Sequence, residues 1–372
     1  MYIHRGRLVK ALLALLVLAI TPAFRQDPPV GYLVWVTSEA TDRIALVRFT
    51  PATATARVER EFTIGLLPTD PDGPHGLTVS PDGRFLFIST AHGQPFGFLW
   101  KVEAATAKVA GRVELGMFPA TVALTPDGAF AFVVNFNLHG DMVPSSVSAV
   151  STAEMLEVAR IPTCTMPHGS RINPQGTRHY SACMMDDMIV EIDTRTFGVA
   201  RLFSVANGAE QLATVPHSEH TAHPVTCSPT WVQPSANGAA VYVACNKSNE
   251  VLEIDVARWS LSRRFKAGDG VYNLAVTHDG RLLVATNKRG QSVSIVDLTA
   301  GQELARVATK RRIVHGVVVS PDDRYAFVSV EGIGSQPGTV EVIDLRTRTV
   351  VAAADVGQMA GGIDFWKTEG GH

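Results

Sequence analysis

The sequence predicts an all-β protein, a seven-bladed β-propeller whose blades are four-stranded antiparallel sheets. One unit recurs along the chain: an apolar strand, a tight turn, a second apolar strand, and a further strand that often closes in Ile-Asp. Seven copies of this unit align, and the C-terminal residues supply a strand that the first copy lacks. Internal repeats of this kind are the sequence signature of propellers and related repeat folds.

The tight turn joins the first two strands of a copy and is built from Pro, Asp and Gly. Proline presets φ and glycine permits positive φ, so each turn reverses the chain within a few residues. The turn recurs as Pro81-Asp82-Gly83, Pro126-Asp127-Gly128, Pro174-Gln175-Gly176, His278-Asp279-Gly280 and Pro321-Asp322-Asp323.

The strand after the turn ends in a small or polar residue and sets the repeat length. Successive copies lie about 40 to 60 residues apart, which is enough for four short strands and their turns. A closing strand follows in which apolar and polar residues alternate, as in Val251-Leu252-Glu253-Ile254-Asp255. The second strand appears as Trp35-Val36-Thr37-Ser38, Phe87-Ile88-Ser89-Thr90, Phe132-Val133-Val134-Asn135, Tyr180-Ser181-Ala182-Cys183, Tyr242-Val243-Ala244-Cys245, Val284-Ala285-Thr286-Asn287 and Phe327-Val328-Ser329-Val330.

The two ends of the chain complement each other. The first copy has no inner strand before Trp35, whereas the chain finishes in Gly361-Gly362-Ile363-Asp364-Phe365. This last segment matches the inner strands that begin at His75 and His315. The C-terminal strand is therefore predicted to complete the first blade and close the ring, which pairs sheet edges that would otherwise stay open.

These motifs resemble those of the YVTN family of seven-bladed propellers. The second strand of each copy stands where that family has Tyr-Val-Thr-Asn, and the closing strand stands where it has Val-Ile-Asp, over nearly the whole chain. The resemblance implies the fold and leaves the function open. Surface-layer proteins, periplasmic binding proteins, propeller lactonases and the haem-binding propellers of nitrite reductases share similar repeats.

Composition and the N-terminus narrow the classes of function. The chain has 372 residues, with 33 Lys and Arg against 35 Asp and Glu, so its charge gives no argument for nucleic-acid binding. Residues 1–23 contain a basic flank, an apolar run and then Thr21, Pro22 and Ala23, which is the order of a secretory signal peptide. Residues 24–372 are then predicted to be a single propeller domain, a periplasmic or extracellular monomer without a transmembrane segment.

The sequence also indicates which face of the ring carries chemistry. If strands A to D make up a blade, the short turns join A to B at one end, so B-to-C loops and links between blades lie at the other. Longer loops at residues 136–145, 204–226 and 331–338 gather at this loop-rich face, where binding usually resides. Inner strands open there with His75, His168 and His315. Three imidazoles are therefore predicted at the channel mouth, as metal ligands or, alternatively, as locally packed side chains.

A second candidate lies in the longest loop, which contains His217, His220 and His223. Imidazoles separated by two residues converge readily on a zinc or copper ion, for which ring nitrogen is a suitable ligand. A solvated polar loop is the alternative interpretation.

Four cysteines leave two interpretations open: Cys164, Cys183, Cys227 and Cys245. The register of the turns predicts that Cys183 lies opposite His168 and that Cys245 lies opposite Ser228, beside Cys227. Sulfur and imidazole would then meet at the channel mouth, a ligand set suited to copper(I) or zinc. Alternatively, export to an oxidising compartment favours two disulfides, Cys164–Cys183 and Cys227–Cys245.

The sequence favours a binding module whose loop-rich face holds a metal ion, small ligand or protein partner, with zinc or copper as the cofactor. Resemblance to propeller lactonases offers a hydrolase as one alternative. A haem-binding propeller is another, with His75, His168 or His315 as the iron ligand. The chain has no Cys-x-x-Cys-His segment for covalent haem attachment.

Overall fold

The computed structural model describes residues 30–67, 69–92, 96–213 and 224–370. It contains seven antiparallel sheets arranged as the blades of a propeller, which confirms the predicted fold class. The predicted signal peptide, residues 1–23, lies outside the described residues. Two short 3-10 helices, Glu39–Thr41 and Pro51–Thr53, belong to blade 1. No helix in the described part of the chain is long and apolar enough to cross a membrane.

The strands of each blade are named in order from the innermost to the outermost. Blade 1 contains β29 (Ala360–Glu369), β1 (Gly31–Ser38), β2 (Arg43–Thr50) and β3 (Thr55–Thr63). Blade 2 contains β4 (Pro74–Val79), β5 (Phe85–Thr90), β6 (Phe98–Glu103) and β7 (Val109–Glu114). Blade 3 contains β8 (Pro119–Leu124), β9 (Phe130–Asn135), β10 (Pro144–Ser151) and β11 (Leu156–Thr165). Blades 4 and 5 contain β12 (Pro167–Ile172), β13 (Arg178–Cys183), β14 (Met188–Asp193), β15 (Gly198–Ser204) and β16 (Gln211–Ala213); and β17 (Pro229–Pro234), β18 (Ala240–Cys245), β19 (Glu250–Asp255) and β20 (Ser260–Lys266). Blades 6 and 7 contain β21 (Val271–Val276), β22 (Leu282–Asn287), β23 (Ser292–Asp297) and β24 (Gln302–Ala308); and β25 (Val314–Val319), β26 (Tyr325–Val330), β27 (Thr339–Asp344) and β28 (Thr349–Asp355).

The C-terminal strand closes the ring as predicted. β29 pairs antiparallel with β1, so that Val34 faces Phe365 and Val36 faces Ile363. Aromatic rings then pack between blade 1 and blade 7, where Tyr32 lies edge-on to Tyr325 with ring centroids 5.1 Å apart. Because the first and last strands of the domain share one sheet, the ends of the chain stabilise each other through a buried apolar core.

Blade 4 differs from the predicted four strands. Part of the long link after β15 folds back as β16, where Leu202 pairs with Ala213 and Ser204 pairs with Gln211. This short segment pairs with the edge of β15, because a strand at the edge of a sheet presents unpaired N–H and C=O groups. Nothing in the repeat pattern marks this fifth strand.

The innermost strand of every blade contains a register shift near its start. In blade 2, Pro74 pairs with Thr90 and Leu77 with Ile88, so His75 and Gly76 bulge. The same irregularity recurs in the other six blades. A bulge re-aims the side chains at its site and disrupts the local ladder. The residues that open the inner strands thus leave the pleated pattern at the channel mouth.

The predicted register around the cysteines is wrong in blades 4 and 5. In blade 4 the predicted pairing holds for Ser170 with Ser181, but Cys183 then faces Pro167 instead of His168. In blade 5 the partner of Cys245 is Pro229 instead of Ser228. The bulge explains the difference in blade 4, because sequence pairing assumes an unbroken two-residue period and the bulge adds one residue to one strand only. In blade 5 the turn itself sets another register, since Gln233 pairs with Tyr242 on the turn side of the bulge, two residues away from the predicted pairing.

The structure identifies the residue of blade 5 that corresponds to His75. Ser228 precedes the inner strand and has a φ of 48°, in the left-handed region. Gly73 occupies the same place in blade 2, with a φ of 61°. Thr230 is therefore the equivalent of His75, because it follows the first residue of its strand.

The four cysteines form two disulfides, Cys164–Cys183 and Cys227–Cys245. The predicted metal-ligand roles of Cys183, Cys227 and Cys245 are therefore wrong, because a disulfide sulfur has no thiolate to offer. Cys164 is the last residue but one of the outer strand of blade 3 and Cys183 is the last residue of a strand of blade 4, so the first bond joins two blades. The second bond fastens the end of the long link to blade 5. Two such bonds are typical of proteins in an oxidising compartment.

A closed ring of hydrogen bonds joins the seven bulges. In each one, a side chain of one blade donates to the backbone carbonyl oxygen of the first bulged residue of the next blade, over 2.5 to 3.1 Å. We call this set the carbonyl ring. Its donors are Thr37, Ser89, Thr121, His168, Thr230, Thr286 and Ser329, and its acceptors are the carbonyls of His75, Ala120, His168, Thr230, Tyr272, His315 and Gly361.

The hydroxyl group of Ser329 shows how one donor serves two blades. It donates to the Gly361 carbonyl across the closure at 2.5 Å and accepts the Gly316 N–H of its own blade at 2.9 Å. A Cβ atom on Gly316 would lie 2.7 Å from the Gly361 carbonyl oxygen, so the blades approach closely only because this residue is glycine.

We predict that Ser329→Ala lowers the free energy of unfolding by about 1–3 kcal/mol, because it leaves a buried N–H and a buried C=O without this partner. Urea or thermal denaturation measures the change. Ser335→Ala is the matched control, because this serine is exposed on a loop. Equal stability of the two variants would contradict the structural role of the carbonyl ring.

A second prediction concerns the disulfides. Replacing Cys227 and Cys245 together by Ala should lower the free energy of unfolding by about 2–4 kcal/mol, since the bond restricts the unfolded chain. The Cys164→Ala, Cys183→Ala pair provides the comparison in the neighbouring blade. Titration of free thiols in the unfolded, unreduced wild-type protein should find none, and four reactive thiols would show that neither bond forms.

Candidate functional site

The predicted histidines meet at the channel mouth on the loop-rich face. The ring centroid of His75 lies 5.9 Å from that of His168 and 5.5 Å from that of His315. Tyr272, from the equivalent position of blade 6, completes the group, with centroids 5.4 Å from His168 and 4.9 Å from His315. We call these four side chains the mouth cluster. The bulges bring them together, and the other blades carry Ala120, Thr230 and Gly361 at the same position.

Both ring nitrogens of His168 are engaged inside the protein. Nδ1 lies 3.1 Å from the Thr230 carbonyl oxygen, which only accepts, so Nδ1 carries the proton and closes the carbonyl ring between blades 4 and 5. Nε2 then accepts from the Tyr272 hydroxyl at 3.0 Å. Burial lowers the pKa of His168 to about 3, so the imidazole is neutral near pH 7. His168 therefore positions its neighbours, and neither nitrogen is free for a ligand.

His315 is buried as well, but its hydrogen bonds are incomplete. Its Nδ1 has no hydrogen-bond partner among the described residues, and its Nε2 lies 3.9 Å from the nearer carboxylate oxygen of Glu331. Burial holds the pKa of His315 well below its usual range. A neutral buried nitrogen without a partner costs free energy, and a bound water or ligand atom usually satisfies such a group.

His75 is held by a carboxylate from a neighbouring blade. Its Nδ1 lies 2.7 Å from Oε2 of Glu39, which stands on the B-to-C loop of blade 1. Its Nε2 makes no hydrogen bond with the described residues. Carboxylate support of one ring nitrogen fixes the ring and leaves the other nitrogen as an acceptor, the arrangement common for metal-bound histidines.

Glu39 supports a second imidazole, that of His92, which the repeat pattern did not indicate. His92 Nε2 lies 2.5 Å from Oε1 of Glu39, so one buried carboxylate forms hydrogen bonds with two imidazole rings. Burial acts to raise the pKa of Glu39, but His75 and His92 outweigh it, and the pKa lies well below its usual range. The hydrogen bond to Glu39 raises the pKa of His92 in return. The carboxylate is therefore ionised at neutral pH.

B-to-C loops supply the other charges around the mouth cluster. Lys288 of blade 6 lies with Nζ 2.8 Å from Oε1 of Glu331 of blade 7 and 4.4 Å from the centre of the Tyr272 ring. Burial acts to lower the pKa of Lys288, but Tyr272 and Glu331 produce a net rise. The sequence could have indicated Lys288 and Glu331, because each directly follows the second strand of its blade. The sequence analysis aligned only the residues that open the inner strands, and so it did not identify these two.

The predicted loop histidines and the predicted zinc or copper ion are not part of the site in the described residues. His217, His220 and His223 lie outside the described residues. Within the residues that the structure describes, no group of three or more His, Cys, Asp and Glu side chains is placed to hold a metal ion. The expected zinc or copper site thus has no complete ligand set in that part of the chain.

Nine large exposed apolar side chains of the described residues lie on loops of the loop-rich face. Other large exposed apolar residues in the described chain lie on the outermost strands, and none lies on the short turns of the opposite face. We call the loop-rich group the apolar rim; it comprises Leu66, Leu67, Phe96, Leu138, Met142, Val143, Met185, Ile333 and Met359. A group of exposed apolar side chains on one face is typical of a binding surface.

Buried aromatic residues pack against the mouth cluster. Phe118 packs edge-on against His75 at 5.4 Å and against Phe136 at 5.6 Å between ring centroids. Phe136 in turn lies 4.7 Å from His168. Imidazole and buried aromatic rings are therefore in contact at the channel mouth.

Comparison with solved structures shows similarity to other propellers. The chain resembles hydrazine synthase of Kuenenia stuttgartiensis, with 23% identity over 79% of this chain and 91% of that one and a TM-score of 0.63. It resembles a functionally unknown protein from Desulfotomaculum acetoxidans DSM 771, with 16% identity over 90% and 98% of the two chains and a TM-score of 0.69. The dihydro-haem d1 dehydrogenase NirN in complex with DHE gives 14% identity, 93% and 77% coverage, and a TM-score of 0.60.

These similarities establish the propeller fold. No family model matches the chain, and no curated protein matches it. Membership of the YVTN family therefore stays a prediction from the repeats, and the function has to be argued from the site.

Proposed function

We propose that this protein is an exported binding protein that holds a haem-type tetrapyrrole on its loop-rich face, with His75 as the ligand to the iron. The observation that carries the proposal is the Glu39–His75 pair at the channel mouth. Glu39 Oε2 lies 2.7 Å from Nδ1 of His75, which leaves Nε2 as the nitrogen that faces no protein partner among the described residues.

The ionised Glu39 does two things for such a ligand. It fixes the tautomer of His75, because Nδ1 carries the proton and donates a hydrogen bond to the carboxylate, which leaves the lone pair on Nε2. It also fixes the orientation of the ring as a metal ligand. The neutral His168 and His315 add no positive charge that would oppose a metal centre.

The small number of available protein ligands favours a metal ion that is already coordinated by a non-protein group. A bare zinc ion usually takes three or four protein ligands, and the described residues gather no such set. Iron in a tetrapyrrole already has four nitrogen ligands, so a single imidazole suffices to bind it. When bound, such a group supplies redox and ligand-exchange chemistry at its iron.

The surroundings of His75 suit a flat apolar ligand. Phe118 and Phe136 pack beside the mouth cluster, and the apolar rim lies on loops of the same face. Covering exposed side chains of the apolar rim with a tetrapyrrole would remove apolar surface from water, which contributes about 25 cal/mol per Å². The buried Nδ1 of His315 provides a further polar contact for a water or a ligand atom.

Two further observations support the proposal. The similar protein NirN is a dihydro-haem d1 dehydrogenase solved in complex with DHE, and its likeness to this chain makes a tetrapyrrole ligand worth testing first. The two disulfides agree with the predicted export to the periplasm or the outside of the cell.

We predict that the protein without an affinity tag binds hemin in a one-to-one complex with the absorption spectrum of imidazole-ligated haem. His75→Gly should lose the shifted absorption band and weaken binding at least tenfold, since it removes the iron ligand. Free imidazole should restore the band in this variant, because it occupies the space of the missing ring. Absorption titration measures each of these quantities.

His278→Ala is the matched control, because His278 is exposed on the opposite face and pairs with Asp323. Circular dichroism checks that each variant is folded. Hemin binding that is equally tight and spectroscopically unchanged in His75→Gly would reject His75 as the ligand, and absence of hemin binding by the wild-type protein would reject the proposed function.

A further inference from the structure

We propose that His92 and His139 form a second, separate metal site, which binds one divalent zinc or copper ion on the loop-rich face. His92 stands on the B-to-C loop of blade 2 and His139 on the B-to-C loop of blade 3. Nδ1 of His92 and Nε2 of His139 face each other at 3.2 Å. The site goes beyond the proposed tetrapyrrole function and does not depend on it.

The distance between the two nitrogens matches that of a shared metal ion. Zinc–nitrogen bonds measure about 2.0–2.1 Å, and tetrahedral geometry then places two ligand nitrogens about 3.3 Å apart. Without an ion, the Nε2 proton of His139 occupies this contact as a hydrogen bond to His92. When an ion binds, that proton resides on Nδ1 of His139 instead, so no proton has to leave the pair.

His92 is oriented as a metal ligand from its far side. Its Nε2 donates to Oε1 of the buried Glu39 at 2.5 Å, so its other nitrogen, Nδ1, points at His139. Such outer carboxylates fix the tautomer and orientation of metal-bound imidazoles. Glu39 therefore acts as a positioning residue for this pair.

Packing holds both rings in place. Phe118 lies between them and the mouth cluster, with its ring centroid 5.1 Å from His92 and 5.3 Å from His139. Behind His92, the chain has Gly73 at a φ of 61°, where a Cβ atom would lie 2.1 Å from Cδ2 of the His92 ring. The His92 ring thus occupies space that the side chain of any larger residue at position 73 would fill.

The solvent exposure of the two rings and the preference of imidazole nitrogen for certain metals indicate which ion the site would bind. His139 is exposed and the side chain of His92 is one-third exposed, so an ion reaches both nitrogens from solvent. Imidazole nitrogen suits zinc and copper, whereas calcium and magnesium prefer oxygen. Two protein ligands leave the remaining coordination positions to water or to a ligand molecule, as in open metal sites.

The test uses the full mature chain without haem and without an affinity tag. Titration calorimetry with zinc sulfate and with copper(II) chloride should show one ion bound per chain. His139→Ala should weaken binding at least tenfold, and Glu39→Gln should weaken it about 10- to 100-fold through loss of the supporting carboxylate. His278→Ala should leave the affinity unchanged.

Electron paramagnetic resonance of the copper(II) complex counts the nitrogen ligands. Two nitrogens in the wild-type protein and one fewer in His139→Gln support the site, and this readout needs only the conservative variant if His139→Ala fails to fold. Hemin affinity should be the same in His139→Ala as in wild type, so this site and the tetrapyrrole proposal fail separately.

A triple variant separates the loop histidines from the pair. Replacing His217, His220 and His223 by Ala should retain the bound ion if His92 and His139 hold it. Loss of binding in the triple variant with unchanged binding in His139→Ala would overturn the inference. Failure of the wild-type protein to bind either ion at micromolar concentrations would overturn it as well.

Discussion

Seven hydrogen bonds run around the central channel and connect each blade to the next through the bulged start of its inner strand. Each bond requires a donor side chain, a distorted inner strand and a neighbouring blade at the right distance. The Ser329 bond to Gly361 crosses the junction between the last blade and the C-terminal strand, so it forms only when the ring is closed. Closure and local geometry therefore depend on each other, and a gap at any blade would leave buried polar groups unpaired.

The bulges that make this ring possible also build the candidate site. They turn His75, His168, Tyr272 and His315 out of the pleat and toward one another, which regular inner strands would not do. His168 belongs to both systems, because its Nδ1 completes the ring while its Nε2 holds the Tyr272 hydroxyl. The structural scaffold thereby fixes which imidazole nitrogens remain available.

The carboxylates and the ammonium group at the channel mouth stand on B-to-C loops. Burial keeps His168 and His315 unprotonated near pH 7. Glu39 remains ionised despite its burial, because two imidazoles surround it. One carboxylate of blade 1 thus orients two rings of blade 2, His75 inside the mouth and His92 outside it, and so links the two proposed sites on this face.

Repeats and strand alternation are local properties of the chain, so the sequence alone was enough to predict seven blades, closure by the C-terminal strand, the loop-rich face and the meeting of three histidines. It offered the correct disulfide partners as one of two interpretations. The folded ring was needed to establish the register at Cys183, the place of Thr230, the fifth strand of blade 4 and the partnership of Glu39 with His75 and His92. The physical reason is that a bulge interrupts the two-residue period without changing composition, and that contacts between loops of different blades exist only once the ring has closed.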